Sequence, residues 1–222
     1  QWVKETSNML NLPPEKYQDS FFRADLSLVN KSELINNPEL QNLTDQAFDL
    51  LKSFRNKKLS VRETFDINQM AKLFAIKAIF GAVEFDWKDV KFYYNPSTLK
   101  LEPIGREVHV DFNNQNHENK TWWMSLNENN FAHSIDQKYF LKLFYEDKEF
   151  VAIYLNELKR ISDLSYLDNV LNLNQKELEK EKKLLRRYYP NINVFSEQKM
   201  IKQIEFIKKS IKSLEKNNIY SL

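Results

Sequence analysis

A chain of 222 residues with 42% hydrophobic and 14% aromatic content has ample material for a packed interior. That excludes global disorder and fits one large domain, or a domain with a helical appendix, better than two. Its 33 basic residues nearly balance 31 acidic ones, a formal charge of +2 with no Cys, which excludes disulfides, thiolate catalysis and a global field toward nucleic acid or membrane.

No run of about eighteen apolar residues is present, so no membrane span is predicted, and residues 1–30 lack the basic-then-apolar order of a signal peptide. The opening Gln1-Trp2-Val3-Lys4 reads as the middle of a longer protein.

In chain order, Trp2, Val3, Met9, Leu10 and Leu12 predict a short helix that Pro13-Pro14 ends. From Pro38, the spacing of Leu40, Leu43, Ala47, Leu50, Leu51 and Phe54 predicts a helix over 38–56. Asp66 is an N-cap for a helix over 66–80, whose apolar residues cover more than one face, so this helix should be central and buried. Gly81 is its expected stop.

Two β-prone runs, 90–94 and 100–104, flank Asn95-Pro96-Ser97-Thr98, a turn sequence that predicts a hairpin with a loop of four or five residues. Phe92, Tyr93 and Tyr94 are expected to pack in the core and across the strands. Residues 111–120, rich in Asn, Gln and His, predict a loop. Helical periodicity returns through Tyr139, Phe140, Leu143 and Phe144, then Phe150, Ile153, Tyr154, Leu158 and Ile161. Further helices are predicted over 163–188 and 196–217, the first placing Leu173, Leu178, Leu184 and Leu185 on its apolar side. The fold class is α+β, mainly α-helical, in one domain: a loop-and-hairpin region over 1–135 and a helical tail over 136–222.

Chemistry concentrates in two acidic segments. Glu84-Phe85-Asp86-Trp87-Lys88-Asp89 precedes the hairpin, and Gly105-Arg106-Glu107-Val108-His109-Val110-Asp111 follows it. A hairpin returns the chain close to its start, so both should project from one end. Converging carboxylates suit a hard cation such as Mg2+ and, with it, phosphoryl transfer. The competing reading is that these are solvated loop charges. His109 and His117 could join Asp111 on zinc, without helical spacing to enforce the geometry. Trp122-Trp123 is either a buried anchor or a recognition patch. Lys182, Lys183, Arg186 and Arg187 form either a solvated helix face or a surface for an acidic partner.

The run Phe65-Asp66-Ile67-Asn68 through Phe80-Gly81-Ala82, followed by Asp86-Trp87-Lys88-Asp89-Val90-Lys91-Phe92-Tyr93-Tyr94-Asn95-Pro96 and Lys100-Leu101-Glu102-Pro103-Ile104, resembles the core of the CotH kinase family. The resemblance covers about residues 40–110; the helical tail is similar in character only. It implies the C-lobe of an atypical protein-kinase-like fold with a small β-hairpin at the active site, and an N-lobe, with its nucleotide-anchoring Lys, upstream. It implies ATP- and Mg2+-dependent transfer of a phosphoryl group to protein Ser/Thr, in a cell-envelope, spore-surface or extracellular setting. Asp86 matches the family's catalytic Asp. Asp89 stands where the family has a metal-binding Asn, and Glu107, or with one residue of slippage Arg106, where it has a metal-binding Asp. These departures keep a second expectation open, a pseudokinase or helical interaction module with a surface-protein partner. Oligomeric state has no signature in the sequence.

Overall fold

The computed structural model describes residues 26, 37–80, 91–105, 143–190 and 197–216. They form α1 (Pro38–Arg55), α2 (Val61–Thr64), α3 (Ile67–Phe80), β1 (Lys91–Asn95), β2 (Lys100–Ile104), α4 (Lys148–Ile161), α5 (Leu164–Tyr188) and α6 (Glu197–Lys216). The predicted α+β, mainly helical class is what is seen, with one two-stranded antiparallel sheet among the described residues. The predicted helix over 2–12, the Gly81 stop and the loop over 111–120 lie outside the described residues.

Local side-chain chemistry sets the helix ends. Asn37 Oδ1 accepts from the Glu39 and Leu40 amides at 3.1 and 3.2 Å, and Pro38 follows as the first helical residue. At the other end of α1, the Lys57 amide donates to Phe54 O and the Lys58 amide to Ser53 O, both at 2.9 Å. This is a Schellman closure with Lys57 in the left-handed region at φ 57°. A capping box starts α2: Ser60 Oγ accepts from the Glu63 amide, and a Glu63 carboxylate oxygen accepts from the Ser60 amide at 2.7 Å. This helix is not among the predicted elements, although Ser60-x-x-Glu63 is its sequence signature. Asp147 and Asp163 cap α4 and α5, each carboxylate accepting from first-turn amides.

The expectation for α3 is met. Met70, Ala71, Phe74 and Ala75 are fully buried, and Ile67, Leu73, Ala78 and Ile79 nearly so. Its principal partner is α4, through Phe150, Val151, Tyr154, Leu158 and Ile161, which recur at helical spacing on one face. Helix α6 closes the core with Met200, Ile204, Ile207 and Ile211, and Gln203 Nε2 donates to Ala78 O at 3.0 Å. Aromatic rings fill the centre. Phe74 lies 5.4 Å from both Phe144 and Phe150, and Phe144 lies 5.0 Å from Phe150 and 5.2 Å from Phe65. Each fully buried ring of this size contributes about 1.5–3 kcal/mol by transfer from water.

Helix α5 departs from expectation. Its apolar side was predicted from Leu173, Leu178, Leu184 and Leu185, yet Leu167 is its one buried residue, and Leu173 is 77% exposed. The sector is apolar in sequence, yet Leu184 and Leu185 near its end are 47% and 39% exposed. Periodicity reports which residues share a face, not whether a neighbour reaches it. Tyr93, expected in the core, is likewise exposed, as the middle residue of β1 on the outward side of the pleat.

Candidate functional site

The hairpin begins with its register, which pairs Lys91 with Ile104, Tyr93 with Glu102 and Asn95 with Lys100. Four residues, Pro96 to Leu99, make the loop. Asn95 organises it: its Oδ1 accepts from the Ser97 amide at 2.9 Å, its carbonyl accepts from the Leu99 amide at 2.8 Å, and its Nδ2 donates to Glu102 Oε1 at 2.6 Å. An Asx turn of this kind is the chemistry that the Asn-Pro sequence predicted. Leu99 takes the left-handed conformation, φ 56°, needed to close the loop.

Four contacts fix the hairpin on the helical body. The Asp66 amide donates to Leu101 O at 2.9 Å, and Phe65 forms a single parallel bridge with Leu101. Asp66 Oδ1 simultaneously accepts from the Asn68 and Gln69 amides at 3.0 Å, capping α3. One residue therefore both starts the buried helix and holds β2. The Phe65 ring sits 5.2 Å from Phe92 and 4.9 Å from Phe54, and Tyr94 Oη donates to Gln46 Oε1 at 2.9 Å, tying β1 to α1. Pro103, which has no amide hydrogen, lies on the hairpin's second strand, suited to an edge without further ladder bonds.

This arrangement pairs Lys91 with Ile104 at the hairpin's open end; in sequence, the segment bearing Asp86 and Asp89 ends just before Lys91 and the segment bearing Glu107 begins just after Ile104. Asp86, Asp89 and Glu107 themselves lie outside the described residues, as do His109, Asp111, His117 and Trp122-Trp123. The described residues supply the condition for convergence, paired strand ends, and no more. Among them no group of three or more His, Asp or Glu side chains is placed to hold a metal ion.

No family model, curated protein or solved structure matches this chain.

A second polar cluster was missed by sequence reasoning. Arg62 Nε donates to Asp147 Oδ2 at 2.9 Å and Arg62 Nη1 to Glu149, at the mouth of a shallow groove lined also by Glu146, Lys148 and Ala152. Asp147, then Glu149, raises the Arg62 pKa above its ordinary value. Asp147 also accepts from the Glu149 and Phe150 amides through its other oxygen, at 3.0 and 3.1 Å, so the α4 cap and the ion pair share one carboxylate. With its guanidinium engaged by two carboxylates and half exposed, Arg62 is a solvent-screened strut between α2 and α4 and is poorly placed to capture an anion. Partners so far apart in sequence leave no local signal.

No helix among the described residues is long and apolar enough to cross a membrane.

Proposed function

We propose that the chain is the C-lobe portion of a CotH-like atypical kinase that transfers the γ-phosphoryl group of ATP to protein Ser/Thr hydroxyls. The observation that supports this reading is the attachment of the Asn-Pro hairpin to the cap of the buried helix, with its paired ends at the acidic segments. That order, buried helix, acidic segment, hairpin, acidic segment, resembles the one in protein kinases, where catalytic loop, hairpin and metal-binding Asp follow one another. In this reading Asp86 orients the acceptor hydroxyl and takes its proton. Asp89 and Glu107 supply oxygen ligands, a donor set that fits Mg2+. The bound ion would neutralise charge on the phosphate oxygens. Glu107 reaches a methylene further than an Asp, so its oxygens would approach from a site rearranged around the longer side chain.

The test is calorimetry of Mg2+-dependent ATP binding, together with phosphorylation of protein substrates, on the chain extended upstream. Saturable binding that Glu107→Ala removes, with phosphorylation that Asp86→Ala abolishes, is the expected result. Phosphorylation that survives Asp86→Ala would refute the assignment of Asp86.

A second reading, a pseudokinase or helical interaction module of a surface protein, draws support from α5, a 25-residue helix with one buried side chain. It predicts no saturable Mg2+-ATP binding and a protein partner for the helices.

A further inference from the structure

Helix α5 is about 37 Å long at 1.5 Å per residue and carries 25 residues, of which Leu167 alone is buried. Leu167, and the half-buried Leu171 packed beside it, face the core. Turned away from them is a second stripe, Val170, Leu173, Glu177, Lys180, Leu184 and Arg187, whose alternating steps of three and four residues are those of a coiled-coil seam. Val170, Leu173 and Leu184 are 37%, 77% and 47% exposed.

We propose that this stripe is a homodimer interface, in which α5 packs antiparallel against α5 of a second copy about a two-fold axis. The sequence of the stripe is self-complementary in that direction alone. With the axis beside Leu178 and Glu179, Leu173 meets the partner's Leu184, Glu177 meets the partner's Lys180, and both pairs repeat by symmetry. Val170 then lies along the aliphatic stem of the partner's Arg187. A parallel pairing would instead stack Glu177 on Glu177 and Lys180 on Lys180, repulsive at both layers.

The charge of the whole helix favours the same direction. Residues 163–175 contain two acidic side chains, Asp163 and Asp168, and no Lys or Arg. Residues 176–189 contain six basic side chains, Lys176, Lys180, Lys182, Lys183, Arg186 and Arg187, against three Glu. Antiparallel association lays the basic end of each copy along the acidic start of the other and opposes the two helix dipoles. Glu177 and Lys180 form an exposed 2.9 Å ion pair within one helix, so the same two groups can exchange partners across the axis without burying an unpaired charge. The interface uses none of the residues assigned to phosphoryl transfer, and it names a second copy of the chain as the partner that an interaction module would take.

The full chain should sediment as a species of twice 26.7 kDa at micromolar concentration. Leu173→Glu should raise the dissociation constant about tenfold or more while leaving far-UV circular dichroism unchanged. Glu177→Lys should weaken the dimer, and adding Lys180→Glu to it should restore the dimer. The chain contains no Cys, so cross-linking reads the direction cleanly. A mixture of Leu173→Cys and Leu184→Cys chains should form a disulfide-linked dimer, and neither variant alone should. A monomer at high micromolar concentration, or disulfide-linked dimers from either variant alone, would overturn the proposal. Neither result bears on nucleotide binding.

Discussion

Phe74 is the ring on which α3, α4 and the Phe144 turn converge, fully buried and within 6.4 Å, centroid to centroid, of Phe144, Tyr145, Phe150 and Tyr154. Truncation by Phe74→Ala removes the ring's transfer energy and leaves a cavity that four other aromatic rings cannot fill by rotating in place. Together these amount to about 3–5 kcal/mol. Against a typical total of about 5–15 kcal/mol, that is about a fifth or more of the stability. With a urea slope of about 2 kcal/mol per M, the unfolding midpoint falls by about 1.5–2.5 M. Tyr93→Ala is the control, since its ring is 55% exposed and its loss should cost about 0.5 kcal/mol or less. Equilibrium urea unfolding followed by tryptophan fluorescence measures both. A Phe74→Ala shift no larger than that of Tyr93→Ala would refute the assignment of this ring to the centre of the core. In a double-mutant cycle, Phe74→Ala and Phe144→Ala should be non-additive by about 0.5–3 kcal/mol, because the two rings share one cavity.

Two other outcomes follow from the loop and the caps. Leu99→Gly should stabilise the chain by about 1 kcal/mol in thermal unfolding, because Leu99 combines a left-handed backbone with a side chain 59% exposed; destabilisation would show that the Leu99 side chain contributes packing. Acidification supplies the second test. Hydrogen bonds from the Ser60 amide and hydroxyl hold the Glu63 pKa below its ordinary 4.5, and the Ser165 amide holds Asp163 below 3.8. Carboxylates depressed in the folded state add stability that is fully present above those ordinary values and is lost as pH falls through the lower, folded ones. Urea midpoints should therefore decline below about pH 4.5, less steeply in Glu63→Gln; a midpoint that rises on acidification through this window would contradict the capping geometry.

What the sequence made legible was mostly local. Asp66 announces the start of α3 because a carboxylate before an apolar run has amides to accept from. Asn95-Pro96 announces the hairpin because its turn chemistry lies within a few residues. The burial of α3 was also readable, since apolar residues on more than one face leave a helix nowhere to go except inside. Contacts set by distant segments were not readable: the exposure of Leu173, the outward turn of Tyr93, and the pairing of Arg62 with Asp147 all depend on which element arrives from elsewhere in the chain. For the candidate site, the sequence foresaw a hairpin with paired ends, and the structure shows it, while Asp86, Asp89 and Glu107 stand as sequence assignments.

Phe65 has a consequence for how this chain can change length. Its backbone bridges Leu101 in β2, and its ring lies 5.2 Å from Phe144, so the chain leaves the core and re-enters it at one residue. The two ends of the segment between, 106–142, are therefore held near one another by the same residue. Closure cost grows only logarithmically, about 0.6 kcal/mol for each doubling of length. Length added between those two ends therefore costs the fold little while the aromatic core stays fixed.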